Sequence, residues 1–393
     1  MTSLELLQEL IAIPSVNPDH TDNPAIANEY RMALFLSAWL SERGFAVEYD
    51  SVDEWRGNVI GRYGPAQPAY HLLLEAHLDT VGIDGMTIDP FAPVVKAGRC
   101  YGRGACDMKG ALAAALTALD NAALLQRLAT AGVAVTVAGA YGEETGNIGA
   151  ERLATQGLAA DGAIVLEPTG CTLVHAHKGA LWTAITLQGA GGHGSDPTQG
   201  CNAILGMCEL LPWLQGGWLD PIASAAESAD GASWFGASGG TVNIGRIVGG
   251  NAINIIAPHC RVEVDRRLLP GESPDVLLAR LDDQLQAHCV AGHATGYSVE
   301  VLKQGVAFAT PPTAPLISDL AAAVRVAGGK AELTVASWHS DASALARTCK
   351  DVVVFGPGDI AQAHTRDEFI ELSQLELGTK ILRAYLEGLA AAP

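Results

Sequence analysis

His77 and Asp79 stand two residues apart at the end of an apolar run, His71–Leu74. Side chains alternate faces along a strand, so these two point the same way. A glycine-punctuated loop then delivers Asp107. Glu143 and Glu144 follow the β-branched run Val133–Ala140, Glu167 follows Ala163–Leu166, and His364 lies in a loop behind Asp351–Phe355. Two imidazoles and three carboxylates, counting one glutamate of the 143–144 pair, suit zinc or another borderline divalent ion better than an all-oxygen calcium site. A single catalytic zinc keeps about three protein ligands and an open position. The set therefore suits two ions that share one carboxylate and leave the water between them as nucleophile. One glutamate of the pair can then act as general base for that water and as acid for the departing amine, while Asp79 accepts the other ring N–H of His77 and sets its tautomer. Taken singly, a histidine at a strand end is usually packed or solvated, and a Glu-Glu pair is usually a solvated turn. The shared placement at strand ends, with Gly or Pro beside most of these residues, carries the joint reading.

The elements that must hold this set alternate. Helices are predicted over Ser3–Ile11, Asn23–Arg43 and Gly110–Thr130, and strands over Phe45–Tyr49, Asn58–Tyr63, Tyr70–Ala76, Val133–Ala140 and Ala163–Leu166. That order is α/β, with a mainly parallel sheet covered on both faces. From Gly179 the pattern changes. Strands at Leu181–Gln188, Thr241–Val248, Arg261–Leu268 and Tyr297–Lys303, with helices at Cys201–Leu214 and Pro274–Val290, follow the order of a ferredoxin-like α+β unit. The Gly-, Ala- and Ser-rich stretch 216–240 reads as a loop inside it. After Pro311 and Pro312 the α/β pattern resumes with a helix at Ala314–Ala327, a strand at Asp351–Phe355 and a helix at Ser373–Ala390. The expected domains are 1–178 with 305–393, interrupted by 179–304.

With 393 residues, 49% hydrophobic and 17% charged, the composition is that of an ordinary globular protein. A formal charge of −19 disfavours nucleic acid and anionic membranes as partners, since both demand clustered Lys and Arg. The first residues lack the basic region and cleavage site of a signal peptide, and no apolar segment reaches bilayer length. The eight cysteines show no CxxC pairing, which points to reduced thiols in a cytoplasmic protein. Cys106, beside Asp107, reads as a packing residue.

Several motifs fall into one pattern. His77-Leu-Asp79-Thr, Tyr101-Gly-Arg-Gly with Asp107-Met-Lys-Gly, Glu143-Glu144-Thr-Gly, Glu167-Pro168-Thr169 and Gln362-Ala363-His364 together resemble the M20 family of metallopeptidases and amide hydrolases, from about residue 8 to about 385. The resemblance implies a zinc-peptidase-like catalytic domain interrupted by a lid and dimerisation domain, and two divalent metals, zinc foremost with cobalt as a substitute in vitro. It makes Asp107 the bridge between the ions, His77 and Glu167 the other ligands of one, and Glu144 and His364 those of the second. Glu143 becomes the base and acid, and Asp79 orients His77. His193, in the insert, would reach across a dimer to the oxyanion of the reaction. Asn254, Arg267 and Ser340 would bind substrate, the guanidinium being well shaped for a carboxylate. His175 and His177 are framework residues in this pattern. Trp338 and His339 are bulkier than the Gly/Thr-rich turn of many members, so His339 either contacts substrate or fills a gap.

Further motifs, among them Ala176-His177-Lys178-Gly179, Gly192-His193-Gly194-Ser195-Asp196-Pro197 and Gly356-Pro357-Gly358, resemble the members that act on acetylornithine. The implied protein is a cytoplasmic homodimer, joined through the insert, that removes an acyl group from a small N-acyl amino acid in arginine biosynthesis. The alternatives within the family are a succinyl-diaminopimelate desuccinylase, an acetylcitrulline deacetylase, a general aminoacylase, a dipeptidase and a glutamate carboxypeptidase. A catalytically silent metal-binding protein would need neither Glu143 nor Asp79.

Overall fold

The computed structural model describes residues 1–219 and 232–391. The chain opens on α1 (Ser3–Ile11), closed by a reciprocal cap in which the Thr2 hydroxyl accepts from the Glu5 amide and the Glu5 carboxylate accepts from the Thr2 amide. The second helix, α2 (Glu29–Glu42), starts later than its predicted Asn23. The Thr21 hydroxyl accepts from the Asn23 amide, and the Asn23 side chain accepts from the Ala25 amide; these local turns compete with the helix. Then follow β1 (Ala46–Ser51), β2 (Gly57–Tyr63), β3 (Tyr70–His77), β4 (Val94–Lys96) and β5 (Arg99–Tyr101). The single helix expected over 110–130 is two, α3 (Lys109–Leu119) and α4 (Ala122–Thr130). Asn121 separates them, its side chain capping the second by accepting from the Leu124 amide at 3.0 Å.

The chain continues through β6 (Val133–Ala140), α5 (Ile148–Thr155), β7 (Gly162–Val165) and β8 (Leu173–His177). Next come β9 (Gly179–Gln188), α6 (Ala203–Gln215), β10 (Thr241–Gly249), β11 (His259–Leu268), α7 (Pro274–Val290) and β12 (Gly296–Gly305). It closes with β13 (Phe308–Ala309), α8 (Pro315–Val326), β14 (Leu333–Ala336), α9 (Ala342–Leu345), β15 (Asp351–Val354), β16 (Phe369–Glu371) and α10 (Leu372–Ala391). Two compact units result. The first comprises Met1–Ala176, Thr310–Thr334 and the chain from Ser340 on; the second comprises His177–Ala309 and Val335–His339.

In the first unit, sheet strands lie in the order β1-β2-β6-β3-β7-β15-β8. The central four, β6, β3, β7 and β15, run parallel. Antiparallel β1 and β2 extend one side and antiparallel β8 the other. Central strands buried on both faces read as unbroken apolar runs, which is why Val133–Ala140 was legible as a strand. The helices α3, α4, α8 and α10 pack together over a core that includes Leu72, Leu112, Leu116, Ile164, Val353 and Leu382. Parallel pairing sets His77 opposite Ala140, so the segments leaving β3, β6 and β7 emerge at one edge of the sheet. A separate small sheet, β16-β5-β4, pairs Phe369 with Tyr101 and Ile370 with Cys100. It ties the stretch before Asp107 to the stretch after His364. Strands of three residues carry too little periodicity to be read from sequence.

The second unit is an antiparallel sheet in the order β10-β11-β9-β12 with α6 and α7, the ferredoxin-like arrangement. Leu181, Ile185 and Leu187 from β9 and Val262 and Val264 from β11 meet Met207, Leu210, Leu277 and Leu281 in its core. Of the loop expected over 216–240, Gly217–Leu219 and Ala232–Ser238 form short 3-10 turns, and 220–231 lie outside the described residues. All eight cysteines are free. No helix among the described residues is long and apolar enough to cross a membrane.

Candidate active site

Four side chains from across the first unit converge on Asp107. His77 ends β3, Glu167 lies two residues past β7, Glu144 sits in the loop after β6, and His364 occupies a left-handed turn (φ 61°) before β16. One donor atom from each of His77, Asp107 and Glu167 lies within 4.8 Å of the others, and the same holds for Asp107, Glu144 and His364. Asp107 belongs to both groups. Its Oδ1 is 3.1 Å from His77 Nε2, its Oδ2 is 3.3 Å from His364 Nε2, and His364 Nε2 is 3.1 Å from Glu144 Oε2.

The charges follow from this crowding. Burial works against a charged imidazole at His77, yet its hydrogen bonds to Asp107 and Asp79 prevail and hold its pKa well above the usual value. Hydrogen bonds to Asp107 and Glu144 push His364 up to about 10. Burial alone would raise Asp107, but His364 and His77 hold it far below the carboxylate range. Burial, then the charge of Asp107, pushes Glu167 well up; burial likewise raises Glu144 despite its bond to His364. The buried Glu144 Oε1 has no hydrogen-bond partner, and the donor set of two imidazoles and three carboxylates fits a pair of divalent cations.

Around this centre lie groups that the motifs did not reveal. Asp79 does more than face His77: its Oδ1 accepts from the Glu143 amide (3.1 Å), and its Oδ2 accepts from the Glu144 amide (3.0 Å) and from Asn17 Nδ2 (2.7 Å). His77 Nδ1 lies 3.0 Å from the Asp79 carbonyl oxygen and 3.4 Å from its carboxylate, so the backbone carbonyl is the better acceptor. Glu29 in α2 accepts from the Gly142 amide at 3.0 Å. Glu368, fully buried, accepts from Arg103 Nη1 and from the amides of Gly104, Cys106 and Asp107 at 2.8–2.9 Å, cradling the loop that carries Asp107. Cys106 is buried with its thiol pushed up by burial, a packing residue as expected. Glu75, two residues before His77 and on the same face of β3, is fully buried, and burial, then the charge of Asp341, holds its carboxyl well above the usual range. A carboxylate inside an otherwise apolar strand, in register with His77, was the available signal.

The other expected residues stand as follows. Ser340 is buried, its hydroxyl accepting from the Ala342 amide at the start of α9. In the second unit, His193 is exposed, and its Nδ1 accepts from the Ser195 amide at 3.2 Å with the Ser195 hydroxyl 2.7 Å away. An acceptor at Nδ1 places the ring proton on Nε2. The Gly194 amide donates to the carbonyl of Asn254, whose side chain belongs to an exposed stretch. Arg267 is engaged by Asp265 two residues earlier on the same strand face, Nε to Oδ1 at 3.0 Å, so a ligand carboxylate must share that guanidinium. His175 and His177 are buried, their Nδ1 atoms on the carbonyls of Thr310 and Lys178. His339 packs on His177 with ring centroids 5.3 Å apart and fills space left by Gly305, where a Cβ would collide with its Nε2.

Fold and site together define a metal-dependent hydrolase of linear amides. The chain belongs to peptidase family M20/M25/M40, whose model matches residues 73–388. It is 33% identical to an acetylornithine deacetylase of Proteus mirabilis over 405 aligned positions, which cover 100% of this chain and 97% of that one. Among solved structures, the M20 family metallo-carboxypeptidase Sso-CP2 from Sulfolobus solfataricus superposes with a TM-score of 0.78 at 17% identity, covering 99% of each chain. A dinuclear metal-binding M20 peptidase from Bacillus subtilis superposes with a TM-score of 0.69 at 14% identity, covering 99% and 98%.

Proposed function

We propose that the protein is a dinuclear zinc hydrolase that removes the acetyl group from the α-amine of acetylornithine. The observation that carries the reading is Asp107, whose two carboxylate oxygens each face a different imidazole and whose two groups each add a glutamate. His77, Asp107 and Glu167 would hold one ion and Asp107, Glu144 and His364 the other; zinc suits this mixed set, and cobalt suits it nearly as well. When bound, such a pair supplies Lewis acidity toward the amide carbonyl and lowers the pKa of water. Glu143 takes the proton of the attacking water and returns it to nitrogen as the C–N bond breaks. Across the dimer, the Nε2–H of His193 would donate to the oxyanion that develops on the carbonyl oxygen. Asn254 and Arg267 would receive the substrate carboxylate, and Ser340 is the third substrate-binding residue of this reading.

The full-length likeness to the Proteus enzyme supports acetylornithine as the substrate. A panel of N-acetyl and N-succinyl amino acids and dipeptides, assayed on zinc- or cobalt-loaded protein, tests it. Acetylornithine should give the highest kcat/KM. A dipeptide or succinyl substrate preferred by tenfold or more would move the protein to another specificity of the family.

The same reading makes it a homodimer joined through the second unit. There, among the described residues, β10 is an edge strand, with Ile247 49% and Val248 52% exposed, and the neighbouring α6 exposes Leu205 at 63%. An unpaired strand edge flanked by exposed apolar side chains favours pairing with a second copy. Light scattering should give twice the chain mass, and the double variant Leu205→Glu, Val248→Lys should give the monomer with unfolding temperature little changed. A wild-type monomer at micromolar concentration would overturn the dimer.

A further inference from the structure

Asn147 is 2% exposed and stands in the left-handed region (φ 59°, ψ 27°), four residues after Glu143. Its Nδ2 donates to Glu143 Oε1 at 2.8 Å and to Asp341 Oδ1 at 2.9 Å, so each amide hydrogen meets a carboxylate. The opposite amide orientation would aim its oxygen at both carboxylates, so the pair of acids fixes which way the group faces. Its Oδ1 is left buried without a hydrogen bond, a cost that a merely convenient packing residue would avoid. Asp341 is itself 1% exposed and heads α9, its carbonyl accepting from the Ala344 and Leu345 amides. The helix α9 therefore reaches the Glu143 carboxylate through two side chains, Asp341 and Asn147. None of these three is among the four donors around Asp107.

We infer that Asn147 is the positioning residue of the reaction: it holds the Glu143 carboxylate in its working orientation, and Asp341, at the head of α9, anchors Asn147. This rests on the reading of Glu143 as the group that moves the proton. A carboxylate that rotates freely spends only part of its time within reach of the water, and a misplacement of about 1 Å can cost about 100-fold in rate. The backbone amide of Glu143, bonded to Asp79, fixes the loop, and Asn147 Nδ2 holds the carboxylate at Oε1.

The test uses Asn147→Gly, because glycine adopts the left-handed backbone without strain and only the amide is lost. It is made alone and with Glu143→Ala, and each zinc-loaded protein is assayed on the fastest substrate of the acyl amino acid panel, in single turnover where rates are low. Asn147→Gly should lower kcat about 10- to 100-fold, with KM within about twofold. Two zinc ions per chain should be retained, and the alkaline limb of the kcat profile should change shape. In the Glu143→Ala background the same substitution should have almost no further effect, since the two act as a unit. Asp341→Asn, which keeps the volume but weakens the acceptor, should give a smaller fall of the same kind. If Asn147→Gly keeps full kcat, loses metal, or lowers the rate equally with and without Glu143, the inference is overturned while the role of Glu143 stands. If Glu143→Ala itself turns over normally, the underlying reading fails first and takes the inference with it.

Discussion

Asp107→Ala should leave a protein that keeps neither of two zinc ions through gel filtration, whereas His77→Ala should keep about one. Both carboxylate oxygens of Asp107 face the centre from opposite sides, and no other side chain belongs to both donor groups. Removing it deprives each group of its shared member at once. Losing His77 leaves Asp107, Glu144 and His364 complete. Elemental analysis of the two variants decides between a bridged pair and two independent sites; an Asp107→Ala protein carrying two ions would rule out the bridge. Thermal unfolding supplies a second readout. Wild-type protein should gain about 2.7 kcal/mol from metal at one hundred times its Kd, and Asp107→Ala should gain almost nothing. The metal-free site holds its protons tightly, with His77 raised well above its usual pKa and His364 at about 10. Metal uptake at neutral pH must displace those protons, so binding by the wild type should release them and weaken as pH falls.

How much of this was legible in the sequence depends on how each residue reaches the site. His77, Glu144 and Glu167 follow β3, β6 and β7, and parallel pairing brings those ends to one edge, so an apolar run ending in a ligand type was a sufficient signal. Glu368 offers no such run. Its work is done on the Arg103 guanidinium and on three amides, 261–265 residues away along the chain, and only the folded molecule brings them to 2.8–2.9 Å. Asn147 and Asp341 meet across 194 residues in the same way. The two-residue step from Asp265 to Arg267 was open to the period-two argument used for His77 and Asp79, and it predicts the ion pair that now restrains Arg267. Helix limits failed where side chains replace backbone partners, at Asn23 and Asn121, because such caps act against the apolar pattern that helical periodicity reports.

Glu143→Ala should bind two zinc ions as the wild type does and lose on the order of 10²–10⁴-fold in kcat, equivalent to about 3–5 kcal/mol of barrier. Glu143 lies outside both donor groups, while its neighbour Glu144 lies inside one. Adjacent residues in one loop are thereby separated in kind. The backbone of Glu143 is tied to Asp79 and its side chain to Asn147, and neither bond touches the imidazoles or the carboxylate of Asp107. In the proposed role, truncating it removes a group that acts only while a proton is in transit, which should lower kcat with little change in ground-state affinity. Glu144→Ala makes the contrast. It removes a donor together with the partner of His364, and should cost metal content before it costs anything else. Metal analysis with kcat on both variants separates the roles, and equal metal loss in the two would assign both glutamates to the ions and leave the proton transfer to another group.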